Sequence, residues 1–385
     1  MSSLFFPRST PHILVAGATG CVGTVLVQML LQQGCRVTVL SRKCPDTSTN
    51  SEQKFSLSDN PLVRLISLGL ISNLFSRYMG LPGSIAWNTA NTLDAANQAG
   101  YLRSGMPKEL DPFVDDTLDT VRYRTWNPEE RLLDPALLEE VDAVINLSGE
   151  NIAQGRWTPE KKKRLLRSRV DSTALLAQAF ETLAQQGKPY PNVWVNASAI
   201  GYYGSRGDDV MTEASTKGQD FLADICQQWE DATQVAQQRG VRVVHARIGV
   251  VLATHGGALH KMLLPFKLGA GSPLGDGTQW MSWVSVTDVA NALWHCVVTP
   301  SLEGAVNCVS PHPVVNRAFS KTLCQALHRP MIAPSVPAFV LILLLGEMAE
   351  ALLLSSTRVI PDKLTQTGFV FEHPTLEEAL TALLS

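Results

Sequence analysis

The sequence predicts an α/β fold built on a doubly wound parallel sheet, and three observations predict it. An apolar run from His12 leads straight into the glycine-rich turn GATGCVG, and the turn leads into the apolar-periodic stretch TVLVQMLLQQG. A second apolar run, CRVTVLSR, follows Gly34, so strand, glycine turn, helix and strand make a right-handed βαβ unit. The same alternation resumes from Val121 and continues through Leu252.

Taken in order, HILVAG reads as a buried first strand, and the helix after the glycine turn closes at Gly34. CRVTVLSR is the second strand, VRYRTW the third and VDAVINLS the fourth. A helix runs from about Lys161 to Gln186, VWVNAS is the fifth strand, a helix runs from about Asp220 to Gln238, and VRVVHARIGVVL is the sixth strand. This spacing predicts a nucleotide-binding domain over residues 11–300, carrying an insert at about 44–120, and a smaller C-terminal, substrate-side domain over 301–385. The insert is polar at both ends. In its middle Leu62, Leu65, Ile66, Ile71, Leu74, Phe75 and Tyr78 recur near helical spacing, and we expect them to pack on the domain, because only Arg64 and Arg77 accompany them. The apolar run Val336 to Leu345 is too short to cross a bilayer and reads as a core or interface helix.

Composition narrows the function classes. Lysine and arginine total 32 against 35 acidic residues, a net charge of −3 that offers no polycation to nucleic acid. The run KKKRLLRSR therefore reads as a solvated helix face. The 7 cysteines are odd in number, scattered, and free of CxxC or Cys/His zinc spacing, so we expect reduced thiols and no metal. The first residues lack the pattern of a secretory signal, and a cytoplasmic location is expected. The expected partners are a small-molecule substrate and a second copy of the chain in a homodimer, with no nucleic acid and no transmembrane segment.

The glycine turn carries chemistry. Gly17 permits the tight turn, Gly20 lets backbone approach a diphosphate, and Gly23 lets the helix pack closely. Thr19, Cys21 and Val22 complete the cradle at a helix N-terminus that favours an anion. The second strand ends Leu40, Ser41, Arg42, Lys43, without the acid that bonds the ribose hydroxyls of NAD. A guanidinium and an ammonium there suit a 2′-phosphate, which points to NADP.

Beyond the cradle, VINLSGENI with RW and SR downstream, ASAIGYYG, RIGVVL followed by GGALHKMLLPFKLGAGSPLGDG, and WMSWVSVTDVA resemble the atypical epimerase branch of the extended short-chain dehydrogenase/reductase superfamily. VNCVSPHPVVNRAF and GFVFEHPTLEEAL are similar to the small C-terminal domain of that branch. The resemblance spans nearly the whole chain outside the insert. It implies a Rossmann domain, an NADP-type cofactor and a substrate cleft under the C-terminal region. Leu147, Ser148 and Gly149, ending the fourth strand, would then run past the cofactor ribose, with Arg169 on the following helix and Glu150 and Asn151 on the substrate side.

In that superfamily a Ser or Thr after the fifth strand works with a Tyr-x-x-x-Lys pair, and alignment puts Phe221 and Ile225 at the Tyr and Lys positions. The usual proton relay is therefore missing. Ser198, Tyr203 and Glu213 remain as catalytic candidates, with Tyr203 read equally well as a packed aromatic. Tyr202, Arg247 and Trp283 join Glu150 and Asn151 as substrate candidates, and Asp288 reads as a helix cap. Two functions stay open: an NADP(H)-dependent oxidoreductase or epimerase on a small carbonyl or sugar-like substrate, and a catalytically weak or inactive NADP-binding regulatory or scaffold protein.

Overall fold

The computed structural model describes residues 10–42 and 121–385, so Lys43 and the insert with its amphipathic stretch lie outside the described residues. The elements are β1 (His12–Ala16), α1 (Cys21–Gln32), β2 (Arg36–Ser41), β3 (Val121–Thr125), β4 (Ala143–Asn146), α2 (Pro159–Gln185), β5 (Val193–Ala199) and α3 (Phe221–Asp231). They continue with β6 (Arg242–Ile248), α4 (Gly257–Lys267), α5 (Val286–Val298), β7 (Gly304–Cys308), α6 (Asn316–Ala326), α7 (Ala338–Leu345) and α8 (Leu376–Leu384). The seven strands form one parallel sheet in the order β7-β6-β5-β4-β1-β2-β3. The order reverses between β1 and β4, which is where a doubly wound sheet opens its ligand crevice.

Both faces of the sheet are covered, which is why its inner strands read as unbroken apolar runs. Ile13, Val15, Val37 and Ile145 pack against Leu26 and Leu30 of α1 and Val289 and Leu293 of α5. Leu14, Leu40, Val144 and Trp194 pack on the other side against Leu176, Phe180 and Leu183 of α2. At the outer edge, β3 sets Arg122 and Arg124 on either side of the exposed Tyr123.

Two expectations need correction. The expected sixth strand breaks at Gly249, because a Cβ there would stand 2.6 Å from the Ser282 carbonyl oxygen. The chain steps out of the sheet, and Val250–Leu252 pairs instead with Trp283–Ser285. The domain boundary at residue 300 cuts off β7, which is bonded to β6 from Gly304↔Val244 to Cys308↔Ile248. The C-terminal core instead joins Phe319 and Leu323 of α6 and Leu376 and Leu380 of α8 to Leu252, Leu259 and Trp283. The apolar run 336–345 forms α7, yet only Leu341 of that helix is buried, while Phe339, Leu343 and Leu344 are exposed.

No helix among the described residues is long and apolar enough to cross a membrane.

Since β2 and β3 are parallel, from Val37↔Val121 to Ser41↔Thr125, the chain leaving β2 must return along the whole strand before it enters β3. Such a crossover takes a dozen residues or more. Replacing residues 45–118 by a flexible linker of about 15 residues should keep the circular-dichroism melt cooperative, while a linker of about 4 residues should strip β3 from the edge and lower Tm.

Candidate functional site

The turn between β1 and α1 is built on contacts that only glycine allows. Gly17 has φ +83°, and a Cβ on it would lie 2.6 Å from the carbonyl carbon of Leu147, so β1 and the end of β4 touch backbone to backbone. A Cβ on Gly23 would lie 2.3 Å from the Gly17 carbonyl oxygen, which presses α1 onto the turn. Gly20 caps α1 with extended backbone and no side-chain bond, and the first turn carries no acid. Thr19 and Gly20 are exposed and Cys21 and Val22 half-buried, so the first-turn amides of α1 and the helix dipole face the crevice. These residues fit a dinucleotide diphosphate. Ser41 ends β2 and Arg42 follows it, exposed, with no hydrogen bond or ion pair to its guanidinium among the described residues.

Leu147, Ser148 and Gly149 leave β4 across the crevice from this cradle, and Ser148 N–H donates to Asn146 Oδ1 at 3.1 Å. Arg169 supports that loop from behind. Its Nη2 donates to the Glu150 carbonyl oxygen at 3.1 Å, Nη1 donates to the Leu165 carbonyl oxygen at 3.0 Å, and the guanidinium stacks on Trp229. Burial lowers the Arg169 pKa from its ordinary value. Arg169, expected to meet the cofactor, holds the loop through one donor from each of its terminal nitrogens.

On that loop Glu150 pairs with Lys161, whose Nζ lies 2.6 Å from Glu150 Oε1 and 3.3 Å from the Asn151 carbonyl oxygen. The Lys161 hydrogen bond holds the Glu150 carboxyl below its usual range, against partial desolvation. Lys161 itself is buried, an unusual state for a lysine and one that requires its acid partner. Asn151 Oδ1 accepts from Ala153 N–H at 2.9 Å and shapes the loop. Arrival of a buried lysine at this point was missed in the sequence, where it stood inside a run of basic residues.

The remaining candidates converge on a different place, a polar cluster sealed beneath the crevice. Ser198 Oγ donates to Glu230 Oε1 at 2.7 Å. Arg247 Nε and Nη2 each bond Glu230 at 2.8 Å, a bidentate pair with both side chains nearly out of solvent. Arg247 Nη1 donates to the Tyr203 hydroxyl at 3.1 Å, and that hydroxyl donates to Asn307 Oδ1 at 2.7 Å. The Tyr202 ring lies 3.4 Å from the guanidinium carbon. Glu213 Oε1 accepts the backbone N–H groups of Asn307 at 3.0 Å and Lys363 at 3.3 Å.

Burial pushes the Tyr203 phenol up to about 12, with Arg247 opposing it, and Tyr203 is 0% exposed. Burial alone would lower Arg247, but the bonds and charge of Glu230 hold it above its ordinary value. Ser198 and Tyr203 thus have their hydroxyls engaged inside the protein, and backbone N–H groups engage Glu213 Oε1. Arg247 meets Glu230 in place of a substrate anion, and Tyr202 covers that pair. Trp283 is fully buried in the C-terminal core, its Nε1 donating to the His312 carbonyl oxygen at 3.1 Å, so it does not line the crevice. Ser285 caps α5 by accepting the Asp288 N–H at 3.0 Å, and the Asp288 carboxylate, in the first turn, accepts from the Ser285 hydroxyl and from the N–H groups of Glu372 and His373.

Glu230 went unnoticed in the sequence, although a signal was there. It occupies the apolar stripe of α3 with Leu222, Ile225, Cys226 and Trp229, where an acid requires a buried cation. Phe221, at the usual tyrosine position, packs edge-on against Trp157 at 5.5 Å and lies under Lys162 at 4.6 Å, while Ile225 is buried. Among the described residues no group of three or more acidic, histidine or cysteine side chains could hold a metal ion.

The sequence profile of the NAD dependent epimerase/dehydratase family matches residues 13–75 and 115–308, and residues 336–383 match a domain of unknown function (DUF1731). The epimerase family protein Mb2239 of Mycobacterium bovis is 44% identical over 257 residues, covering 66% of this chain and 82% of that protein. A chloroplastic SDR39U1 homolog of Arabidopsis thaliana is 38% identical over 242 residues, covering 63% and 68%. Among solved structures, the human epimerase family protein SDR39U1 with NADPH superposes with a TM-score of 0.70 at 28% identity, covering 97% of this chain and 99% of that one. The protein MoeE5 with UDP-glucose and NAD superposes at 0.60 with 17% identity, over 97% of each chain, a likeness of fold.

Removing the Tyr203 hydroxyl tests its part. Tyr203→Phe should cost about 1 kcal/mol of stability and leave cofactor affinity unchanged. The raised phenol adds stability that is complete below pH 10 and is lost as pH climbs toward 12, so the parent's alkaline loss in urea melts should exceed that of Tyr203→Phe. Glu230→Ala, which leaves Arg247 buried without its partner, should cost about 3–5 kcal/mol by the same melts.

Proposed function

The chain belongs to the NAD dependent epimerase/dehydratase family, and from that premise we propose that it is an NADP(H)-dependent oxidoreductase or epimerase acting on a small carbonyl or sugar-like substrate. The observation that supports this best is the cradle itself, in which Gly17, Gly20 and Gly23 leave backbone amides and a helix N-terminus facing the switch point between β1 and β4. Gly17 to Gly23 would hold the diphosphate, Ser41 and Arg42 the 2′-phosphate of the adenosine, and Leu147 to Gly149 would border the nicotinamide half. NADP(H), when bound, supplies hydride exchange with a carbon of the substrate. Arg42 is the residue on which the preference for NADP over NAD rests.

The chain's own part is binding, orientation and proton handling. With Tyr203 and Ser198 engaged inside the protein, the ionisable pair left beside the Leu147–Gly149 loop is Glu150 with Lys161. With two of its three N–H donors taken by Glu150 and the Asn151 carbonyl oxygen, Lys161 Nζ has one left for a substrate carbonyl or hydroxyl oxygen. Glu150 gives the buried ammonium its counter-charge. Arg169, through the Glu150 carbonyl, fixes the height of the loop.

The second reading, a regulatory or scaffold protein that binds NADP without turnover, draws on Phe221 and Ile225 standing where the superfamily has its Tyr and Lys. The two readings separate on oxidation of NADPH against a panel of aldehydes, ketones and keto sugars. Under the enzymatic reading one panel member is reduced, and Lys161→Met lowers that turnover by about 10²-fold or more with the NADPH dissociation constant unchanged. A protein that binds NADPH and reduces no member leaves the regulatory reading standing.

For the cofactor, Arg42→Ala should weaken NADP(H) at least tenfold, about 1.4 kcal/mol, and leave NAD(H) nearly unmoved in calorimetric titrations. Equal affinities of the parent for the two dinucleotides would contradict the assignment.

A further inference from the structure

An open cavity of about 400 Å³ lies between the loop after β5, the segment 275–279 and the C-terminal helical stretch, lined by Asp208, Asp276, Thr278, Gln279 and Ser356 with Ala338 and Leu354 on its apolar side. Its size is within the range of small-molecule sites, about 300–1,000 Å³. None of the residues assigned above to the cofactor contributes to it.

The side-chain hydrogens of this wall are already committed. Gln279 is only 6% exposed, and its Nε2 donates to the carbonyl oxygens of Leu274 at 3.1 Å and Leu353 at 2.9 Å, which fixes the amide orientation. No donor reaches its Oε1 among the described residues, so an acceptor is left open at the cavity. Thr278 Oγ1 donates to Asp276 Oδ1 at 2.8 Å, and Ser356 Oγ donates to the Gly207 carbonyl oxygen at 2.7 Å. Asp208 Oδ1 accepts from Trp280 Nε1 at 2.7 Å. What remains for a ligand is a set of side-chain acceptors: the second oxygen of each carboxylate and Gln279 Oε1. The bonds from Thr278 hold Asp276 below the ordinary carboxylate range, so it is ionised at neutral pH. Two neighbouring cations have partners of their own, Arg317 bonding the Asp276 carbonyl oxygen at 2.8 Å and Arg358 lying 4.2 Å from the Trp280 ring.

We propose that this cavity binds a small cationic polyol, an amino sugar in chemical class: a ligand bringing an ammonium group and hydroxyl donors and no anionic group. The ammonium meets Asp208 and Asp276, a hydroxyl donates to Gln279 Oε1, and the apolar edge of the ring lies on Ala338 and Leu354. A phosphate or carboxylate would face two carboxylates with no side-chain donor to receive it, so anionic sugars are rejected. The ligand's role as substrate rests on the enzymatic reading above; its binding does not.

Calorimetric titration of the full chain with glucosamine, glucose, glucuronate and calcium chloride tests this. Glucosamine should bind at least tenfold more tightly than glucose, with no heat from glucuronate, and its affinity should fall as salt is raised. Asp276→Asn keeps the acceptor for Thr278 and removes the charge, and should weaken glucosamine tenfold or more. Ala338→Trp fills the cavity from its apolar side and should abolish binding even if Asp276→Asn proves unstable. Equal affinities for the three sugars, no binding of any, binding untouched by Ala338→Trp, or a site that takes calcium and ignores glucosamine would each overturn the proposal. NADPH affinity measured on the same samples separates the two ideas: NADPH binding without glucosamine binding defeats this proposal alone, and the reverse defeats the cofactor reading alone.

Discussion

A single buried ion pair, Glu230 with Arg247, sets how the parts of this protein meet. Both side chains lie in the interior, where a lone charge costs several kcal/mol, so each must be matched in geometry and in count of hydrogen bonds. Glu230 comes from α3 and Arg247 from β6, Ser198 adds β5, and Tyr203 passes the network to Asn307 on β7. Asn307 in turn holds the Ile360 carbonyl oxygen through Nδ2 at 3.0 Å and shares Glu213 with Lys363. The C-terminal chain is thereby pinned to the end of the sheet through Asn307 and Glu213. Polar residues that look like a reaction centre in one dimension serve here as the joint between the two halves.

This division explains what the sequence could disclose. Glycine positions and strand periodicity are local properties, so Gly17, Gly20 and Gly23 announce the cradle and the apolar runs announce the sheet. The step at Gly249 depends on the Ser282 carbonyl oxygen, 33 residues away, and nothing near Gly249 signals it. Tyr203 and Arg247 are of the types that do chemistry, and only the third dimension reveals that each already has a partner. The reverse holds for Lys161, which looked like one more solvated charge because its acid lies on the far side of a loop. Local pattern identifies what binds the invariant part of a ligand, while the variable part is recognised by residues brought together from distant stretches.

The glycine turn and the cavity near Asp208 and Asp276 are opposite in electrostatic character. At the β1–α1 turn, backbone N–H groups and Arg42 favour negative charge. At the cavity near Asp208 and Asp276, acceptors face outward and favour positive charge. A protein arranged in this way sorts its ligands by sign before any shape is tested.

Among the described residues, β3 is the last strand of the ladder at the far edge of the sheet. A strand at the end of a sheet is a template on which a second molecule can polymerise. Arg122 and Arg124 alternate there with Tyr123, and Arg122 approaches Glu140 at 4.0 Å. Two guanidinium groups on so short a strand repel an identical strand laid beside them, and five residues give little length for a fibre to grip. The edge thus carries its own guard against aggregation, a colloidal property encoded in the same strand that completes the fold.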